Sequence, residues 1–440
     1  MFKTWLQKFA FYQKFASIVR ILVVLIGIFF VFQIINFTYE KISKISLLDL
    51  ISILGTDLTQ DSYHRTNFLL LGSGGTEHVA GDLLDTIIVA SYSHQFQTLT
   101  LLSIPRDFWL QVPGLPQMRI NKIYQVEKER LQDSTAALNS TAWFVGELID
   151  LPIHYFLKID FPGLVQLIDK LGGVQILVTE TIHDPQFPCA DMLNFCTFHL
   201  DAGLQILDGA TALKFARSRK TTSDFARSER QQQLLLAIQE QAQKKEILTS
   251  PGQLSEFFDL LKNYLETNLE LREFITLGKL AANFQAQNLA SLVLNNDPNT
   301  PGGLLFSPQR EHFGGAAVLL PQTQDLTEIQ TLTKILFGTP QALTAQLTIE
   351  VLNGSTQGGL ARKVAYELNR YGLNTLQANN FPAGTTATTK IYFYTDDLVT
   401  KATAAAIKEL IAGEVLPGPV DLKKRGYDLT VVLGQDYPEL

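Results

Sequence analysis

Residues 21–32 carry no polar side chain, and the apolar run around them extends from 18 to 37, interrupted only by Arg20, Gln33 and Asn36. Twenty such residues wound as a helix cross ~30 Å of hydrocarbon, with Arg20 near enough to the edge to snorkel. Lys3, Lys8, Lys14 and Arg20 precede or open the run, and no acid occurs before Glu40. The positive-inside rule then places the N-terminus in the cytoplasm. A cleaved signal peptide and a buried core helix are the rival readings. The run is long for a signal h-region, and no A-x-A-like site follows it, which favours an uncleaved signal anchor. The remaining ~400 residues, with no second run of that length, are expected outside the cytoplasm.

Of the 440 residues only 18% are charged, below the ~25% of ordinary soluble domains, while 46% are hydrophobic. Such a chain is no disordered polymer, and its length has room for two or three domains. A net charge of −7 argues against a nucleic-acid partner, which usually selects a basic domain. The two cysteines, Cys189 and Cys196, cannot make a disulfide scaffold. With six residues between them they can close one small loop in an oxidising compartment, or stand as two buried thiols; the anchor favours the disulfide. No C-x2-C pair or histidine cluster offers a zinc set.

Past the anchor, residues 38–63 are weakly patterned and read as a stalk. Then NFLLLGS (67–73), DTIIVASY (85–92) and TLTLLSIP (98–105) read as strands, the last two as a hairpin. STAALNSTAWFVGELID (134–150) has helical spacing behind a Ser/Thr cap. HYFLKIDF (154–161) and VQILV (174–178) are strands on either side of the helix FPGLVQLIDKLGG, which two glycines close. DGATALKFA (208–216) and residues 224–245 read as helices. Strands interleaved with helices make a layered α/β domain. Residues 250–345 read as helical and then irregular, with 326–345 as a linker. From 346 a β-α-β-α-β pattern of about 90 residues follows, an arrangement that reads as a second, small α/β domain.

Between Lys214 and Arg230 stand Lys214, Arg217, Arg219, Lys220, Arg227 and Arg230, against only Asp224 and Glu229. Arg217 and Arg219 point to one side of an extended segment. Asp224 is placed to cap the following helix, with Arg227 and Gln231 one turn apart on one face. A helix start lined with guanidinium forks favours an anion. A solvated basic face is the plainer reading; the arginines beside a short loop favour the anion site. A second group, Asp85, Arg106, Asp107, Arg119 and Asn121, falls at strand ends, where α/β folds place ligands. Taken singly, each is more commonly a turn residue or a surface ion pair.

As an ordered set, NFLLLGS, DTIIVAS, LTLLSIPRD, RIN, LPIHYFLKIDFPGLVQLIDKLGGV, LDGATALKFARSR and SDFARSERQQQ resemble the LytR-CpsA-Psr family, over about 64–245 and on to 325. The last ~95 residues, with VLNGSTQGGLARKVAYELNRYGL and VVLG, resemble the LytR-type C-terminal domain. The resemblance implies a single-pass membrane protein with a layered α-β-α domain on a mixed central sheet at 64–325 and a small α/β domain at 346–440, behind a basic tail at 1–17. It implies a phosphotransferase that moves a glycopolymer from a polyprenyl-pyrophosphate carrier onto peptidoglycan with Mg²⁺, leaving room for a pyrophosphatase side activity. An apolar pocket for the prenyl tail would accompany it, and Trp143, Phe144 and Leu148 suit either that pocket or the core. Carried over, Arg106, Arg119, Asn121, Arg217, Arg219, Arg227, Arg230 and Gln231 bind pyrophosphate. Asp85, Arg106, Asp107 and Arg217 form the catalytic group, and Asp224 is a structural cap. Asp85 holds Mg²⁺ and is also a candidate base, while Asp107 orients Arg106.

Two departures stand out. The family's Asp after the first strand is Gly74 here, and its Arg-Ser before Asp85 is Leu83-Leu84. Asp82 or Glu77 are candidates to replace the carboxylate; nothing replaces the arginine. Arg119 keeps the charge of the usual Lys. A variant subfamily is the first reading, and a catalytically weak envelope protein that binds lipid-linked glycan or peptidoglycan is the alternative.

Overall fold

The structure, a computed structural model, describes residues 57–75, 81–110, 116–189, 194–218, 224–323, 325–345 and 347–438. The expected anchor at 18–37 lies outside the described residues, among which no helix is long and apolar enough to cross a membrane.

In the first domain, β1 (Arg65–Ser73), β2 (Leu84–Ser93) and β3 (Thr98–Ser103) form from the three apolar runs. A short pair, β4 (Trp109–Leu110) and β5 (Met118–Arg119), follows, then helices α1 (Ile123–Leu131) and α2 (Ser134–Ile149). The cap of α2 is Asp133, whose carboxylate accepts from Ala136 N at 2.9 Å, so the expected Ser/Thr cap moves one residue back. Strand β6 (Tyr155–Asp160) runs into α3 (Phe161–Lys170), and Gly172 and Gly173, at φ +73° and +90°, turn the chain into β7 (Val174–Val178). A hairpin of β8 (Ile182–Pro188) and β9 (Phe195–Leu200) precedes β10 (Gly203–Leu207), which pairs with β7. Helices α4 (Gly209–Arg217), α5 (Asp224–Lys244) and α6 (Pro251–Leu261) follow, then β11 (Leu265–Thr267), α7 (Leu271–Asn283) and β12 (Leu289–Val293). A two-stranded ribbon of β13 (Leu305–Phe306) and β14 (Leu320–Pro321) leads to α8 (Thr327–Gly338) and α9 (Gln341–Thr344).

The central sheet has the order β11-β6-β1-β2-β3-β12 and is mixed. β1 pairs parallel with β6 and β3 with β12, while β2 and β11 run antiparallel to their neighbours. Both sheet faces are covered, which is why β1 is buried almost throughout. Leu69 and Leu71 pack with Ile87, Val89 and helices α1 and α2; Phe68 and Leu70 face α5 and α7 through Leu235, Phe274 and Leu277. Alternation along one strand thus feeds two cores, the α-β-α layering expected. Part of the expected stalk also packs on this domain. Leu58 is buried, and Asp61 accepts from Arg65 Nε at 2.8 Å and Asn67 Nδ2 at 3.3 Å.

Residues 326–345, expected as a linker, instead carry α8. Its Ile329, Leu332 and Leu336 are buried in a core that continues into the second domain. There β15 (Ile349–Asn353), α10 (Leu360–Arg370), β16 (Thr375–Asn380), β17 (Lys390–Phe393), α11 (Leu398–Leu410), β18 (Glu414–Pro417), α12 (Val420–Lys423) and β19 (Leu429–Leu433) build a sheet of order β16-β15-β19-β17-β18. The two strands that the β-α-β-α-β reading lacks, β16 and β18, are the edges. Arg370 joins the two domains: it is 4% exposed, and its Nε donates to Gly303 O and its Nη2 to Gln322 Oε1, each at 3.1 Å.

Cys189 and Cys196 form a disulfide at the end of the β8–β9 hairpin. Cys196→Ser opens a ring spanning seven positions. It is expected to lower stability by about 2 kcal/mol, read as an earlier melting transition that reductant reproduces in the parent.

Two half-buried histidines set a pH dependence. His154 Nδ1 accepts from Asn67 N at 3.0 Å, and His94 Nε2 lies 2.8 Å from Thr66 Oγ1. Burial lowers both pKa values below the usual histidine range. The unfolded chain therefore takes up protons first as pH falls, and stability present at pH 7.5 is lost below about pH 6.5. The carboxylates with lowered pKa, such as Glu127, stay charged through that window. Melting curves at pH 7.5 and 5.5 check this, and His154→Gln should flatten the difference.

Candidate functional site

Four parallel strands point the same way, and their carboxyl ends meet the start of antiparallel β2. Ser73 pairs with Leu84, one residue before Asp85, and also with Asp160. This end of the sheet is where a ligand meets loops and helix starts in open α/β folds.

Asp85 and Arg106, 21 residues apart, come together here: Arg106 Nη1 donates to Asp85 Oδ1 at 2.5 Å. Asp107 lies between two guanidinium groups, its Oδ2 3.6 Å from Arg106 Nε and its Oδ1 accepting from Arg119 Nη1 at 2.9 Å. A carboxylate held by two arginines orients them. Asn121 is fixed by its N–H to Arg106 O at 3.2 Å, and it is buried with Oδ1 unpartnered among the described residues. Ser73 Oγ is in the same condition. A buried polar atom without a partner carries a cost that a bound donor or cation removes.

The second arginine group arrives on α4 and α5. Gln232 anchors α5 to the sheet by donating to Ser103 Oγ at 2.9 Å and Leu292 O at 3.1 Å, at the ends of β3 and β12. The first turns of α5, with Arg227 and Gln231, thus stand at the same end of the sheet. Arg227 is buried, and Gln231 Nε2 donates to Ala216 O at 3.3 Å. The Arg217 guanidinium lies 4.5 Å over the ring of Phe161, the residue after Asp160, and 5.5 Å from that of Phe187. Stacking of this kind fixes the orientation of a guanidinium plane.

Arg230 differs from the expectation of a pyrophosphate ligand. It is buried, its Nε donates to Phe215 O at 3.0 Å and its Nη2 to Ser218 O, so it ties α5 to the end of α4. Burial lowers its pKa, though a guanidinium stays charged. Asp82, expected as a possible Mg²⁺ ligand, has both oxygens 3.0 Å from Lys128 Nζ and is neutralised there. Arg219, Glu77 and the side chain of Asp224 lie outside the described residues.

The sequence reading missed Ser73, Asp160, Gln232 and the pair Ser218–Asp184, joined at 2.9 Å inside the fold. Asp160 caps α3 by accepting from Gly163 N at 2.8 Å. Gly75, at φ +82°, lies so close that an added Cβ would stand 2.9 Å from the Asp160 Cβ. A buried Lys158, 2.5 Å from Glu266 Oε1 and 4.8 Å over the Tyr124 ring, is a further charge that periodicity cannot reveal.

The donor set fits Mg²⁺ in one way: a single carboxylate, Asp85, the rest to be supplied by phosphate and water. Among the described residues no group of three or more His, Cys, Asp or Glu side chains offers an all-protein metal site.

The LytR_cpsA_psr family model matches residues 40–335, and the model described as LytR cell envelope-related transcriptional attenuator matches residues 346–437. The chain is 30% identical over 244 residues to the polyisoprenyl-teichoic acid–peptidoglycan teichoic acid transferase TagU of Oceanobacillus iheyensis, covering 54% of this chain and 70% of that one. It is 24% identical over 394 residues to the cell wall biosynthesis protein LcpA of Corynebacterium glutamicum, covering 82% of this chain and 72% of the relative. Among solved structures, Bacillus subtilis TagV is 20% identical with a TM-score of 0.48, covering 63% of this chain and 99% of that one. With two thirds of its length inside the first model, the chain belongs to the LytR-CpsA-Psr family.

Proposed function

We propose that this protein is a membrane-anchored phosphotransferase that attaches a glycopolymer from a polyprenyl-pyrophosphate carrier to peptidoglycan, outside the cytoplasm. The observation that carries the reading is the meeting of Asp85, Arg106, Asp107 and Arg119 with the arginines of α4 and α5 at one end of the sheet, in a chain whose relative TagU is named a teichoic acid transferase. The run at 18–37 serves as the anchor that keeps this site near a lipid-borne donor.

In the reaction a sugar hydroxyl of the acceptor attacks the sugar-bearing phosphorus. The bond from that phosphorus to the bridging oxygen breaks, polyprenyl phosphate leaves, and the hydroxyl proton is released. Charge spreads over the phosphoryl oxygens, so the protein acts by positioning and electrostatic stabilisation. Arg106, aimed by Asp85 and Asp107, and Arg217, held flat on Phe161, supply planar forks to those oxygens. Arg227 and Gln231 line the helix start that favours the second phosphate. Bound Mg²⁺, held by Asp85, would neutralise charge on the diphosphate.

Gly74 and Leu83 favour one second reading, a protein that binds lipid-linked glycan without turning it over, since one carboxylate and one arginine of the family pattern are missing. Incubating the full chain in detergent with a polyprenyl-pyrophosphate-linked sugar, Mg²⁺ and peptidoglycan separates the two. Release of polyprenyl phosphate supports transfer, and saturable donor binding without release supports the second.

A further inference from the structure

We propose that a cavity at the opposite end of β6 is a separate binding site for an uncharged, N-acetylated glycan strand. Its volume is about 420 Å³, within the range of ligand sites. Tyr155 and Phe156, at the start of β6, line it, so it lies roughly 17 Å along the strand from Asp160 and the arginine cluster.

The lining has the composition that sugars require. Trp143 stands on the wall 54% exposed, although its neighbours on α2, Ala142, Val145 and Leu148, are buried. Phe144 supports it edge-on, with ring centroids 4.9 Å apart. An indole held open to solvent beside a cavity presents a flat apolar face, which suits the C–H face of a pyranose. Around it Glu147, Asp150 and Asn139 offer acceptors for hydroxyl groups. His154 adds a donor: Nδ1 already accepts from Asn67 N, so the neutral ring carries its proton on Nε2. Ala142, Gly146 and Ile153 provide small apolar surface for an acetyl methyl.

The same residues argue against other occupants. Glu147 and Asp150 repel a phosphate-rich polymer, and burying a prenyl tail against two carboxylates, an imidazole and amide groups would desolvate them without partners. An uncharged glycan satisfies them. The site is independent of the transfer reading, since it uses none of the arginines.

The test is titration of the full chain, in phospholipid nanodiscs, with the β-1,4-linked tetramer of N-acetylglucosamine, followed by calorimetry. Saturable binding is expected. Trp143→Ala should weaken it about tenfold, Trp143→Phe should retain most of it, and Glu147→Gln with Asp150→Asn should weaken it severalfold. Melting curves of Trp143→Ala should match the parent, because the side chain is exposed. Arg217→Ala should leave tetramer affinity unchanged, and Trp143→Ala should leave binding of a polyprenyl pyrophosphate unchanged, so failure of either site is visible alone. Absence of saturable binding, equal affinity in Trp143→Ala, or displacement of the tetramer by farnesol would overturn the proposal, the last by showing an apolar-tail groove.

Discussion

Arg217→Ala is expected to lower turnover about a thousandfold, with a melting transition close to the parent's. Removing one preorganised donor to a developing phosphoryl charge costs ~10²–10³ in rate. Arg217 stacks on the faces of Phe161 and Phe187 from a half-buried position at the end of α4. Loss of that stacking is worth about 1 kcal/mol. Rate and stability therefore separate at this position. Arg217→Lys is expected to fall between, because an ammonium keeps the charge but not the planar fork. The check is turnover of a polyprenyl-pyrophosphate-linked sugar beside a thermal melt for each variant.

Arg230→Ala has the opposite signature. Its guanidinium serves Phe215 O and Ser218 O inside the fold, and the side chain is buried beside the Phe215 ring. Truncation removes the guanidinium donors from two buried carbonyls and leaves a void, an expected loss of about 3 kcal/mol in unfolding free energy. Activity falls too, but as a consequence of loosening the α4–α5 junction. Denaturant unfolding checks this. Arg230→Ala should shift the midpoint strongly, and Arg217→Ala hardly at all, although both belong to one arginine-rich segment.

That contrast marks how far the chain could be read unfolded. The strands that run through the middle of the sheet, β1, β2 and β3, are long apolar stretches bounded by Gly and polar turns, and the residues alone declare them. β11 has three residues, LET, with no period to detect, and β16 reads TLQANN because an edge strand needs little apolar surface. LASLV became β12 through pairing with β3, a short apolar run that periodicity cannot tell from helix. At the site, the arginines were legible because their order along the chain is distinctive. Their partners were not. The Arg106–Asp85 pair joins positions 21 apart, and Asp107 serves both Arg106 and Arg119, relations that only the converging strand ends create. Asp82 looked like a spare carboxylate until Lys128 on α1 was seen to hold it.

The disulfide was legible as a possibility, since the chain has two cysteines and only six residues separate them. The continuation of the core through α8 was not. TEIQTLTKILFG is an ordinary amphipathic helix, and only the buried contacts of Ile329, Leu332 and Leu336 show that it joins the two domains instead of spacing them. Thr333 Oγ1, donating to Ile149 O at 2.7 Å, fixes that helix to the end of α2.

The central claim, that the arginine cluster binds and activates a lipid-linked diphosphate for transfer to the wall, is tested most directly by following both products at once. The full chain would be incubated with a polyprenyl-pyrophosphate-linked disaccharide, Mg²⁺ and purified peptidoglycan, with polyprenyl phosphate and wall-bound disaccharide quantified together. Equal amounts of the two products, both lost in Arg217→Ala, are predicted. Folded protein that releases neither product, or releases both equally well without Arg217, would contradict the account.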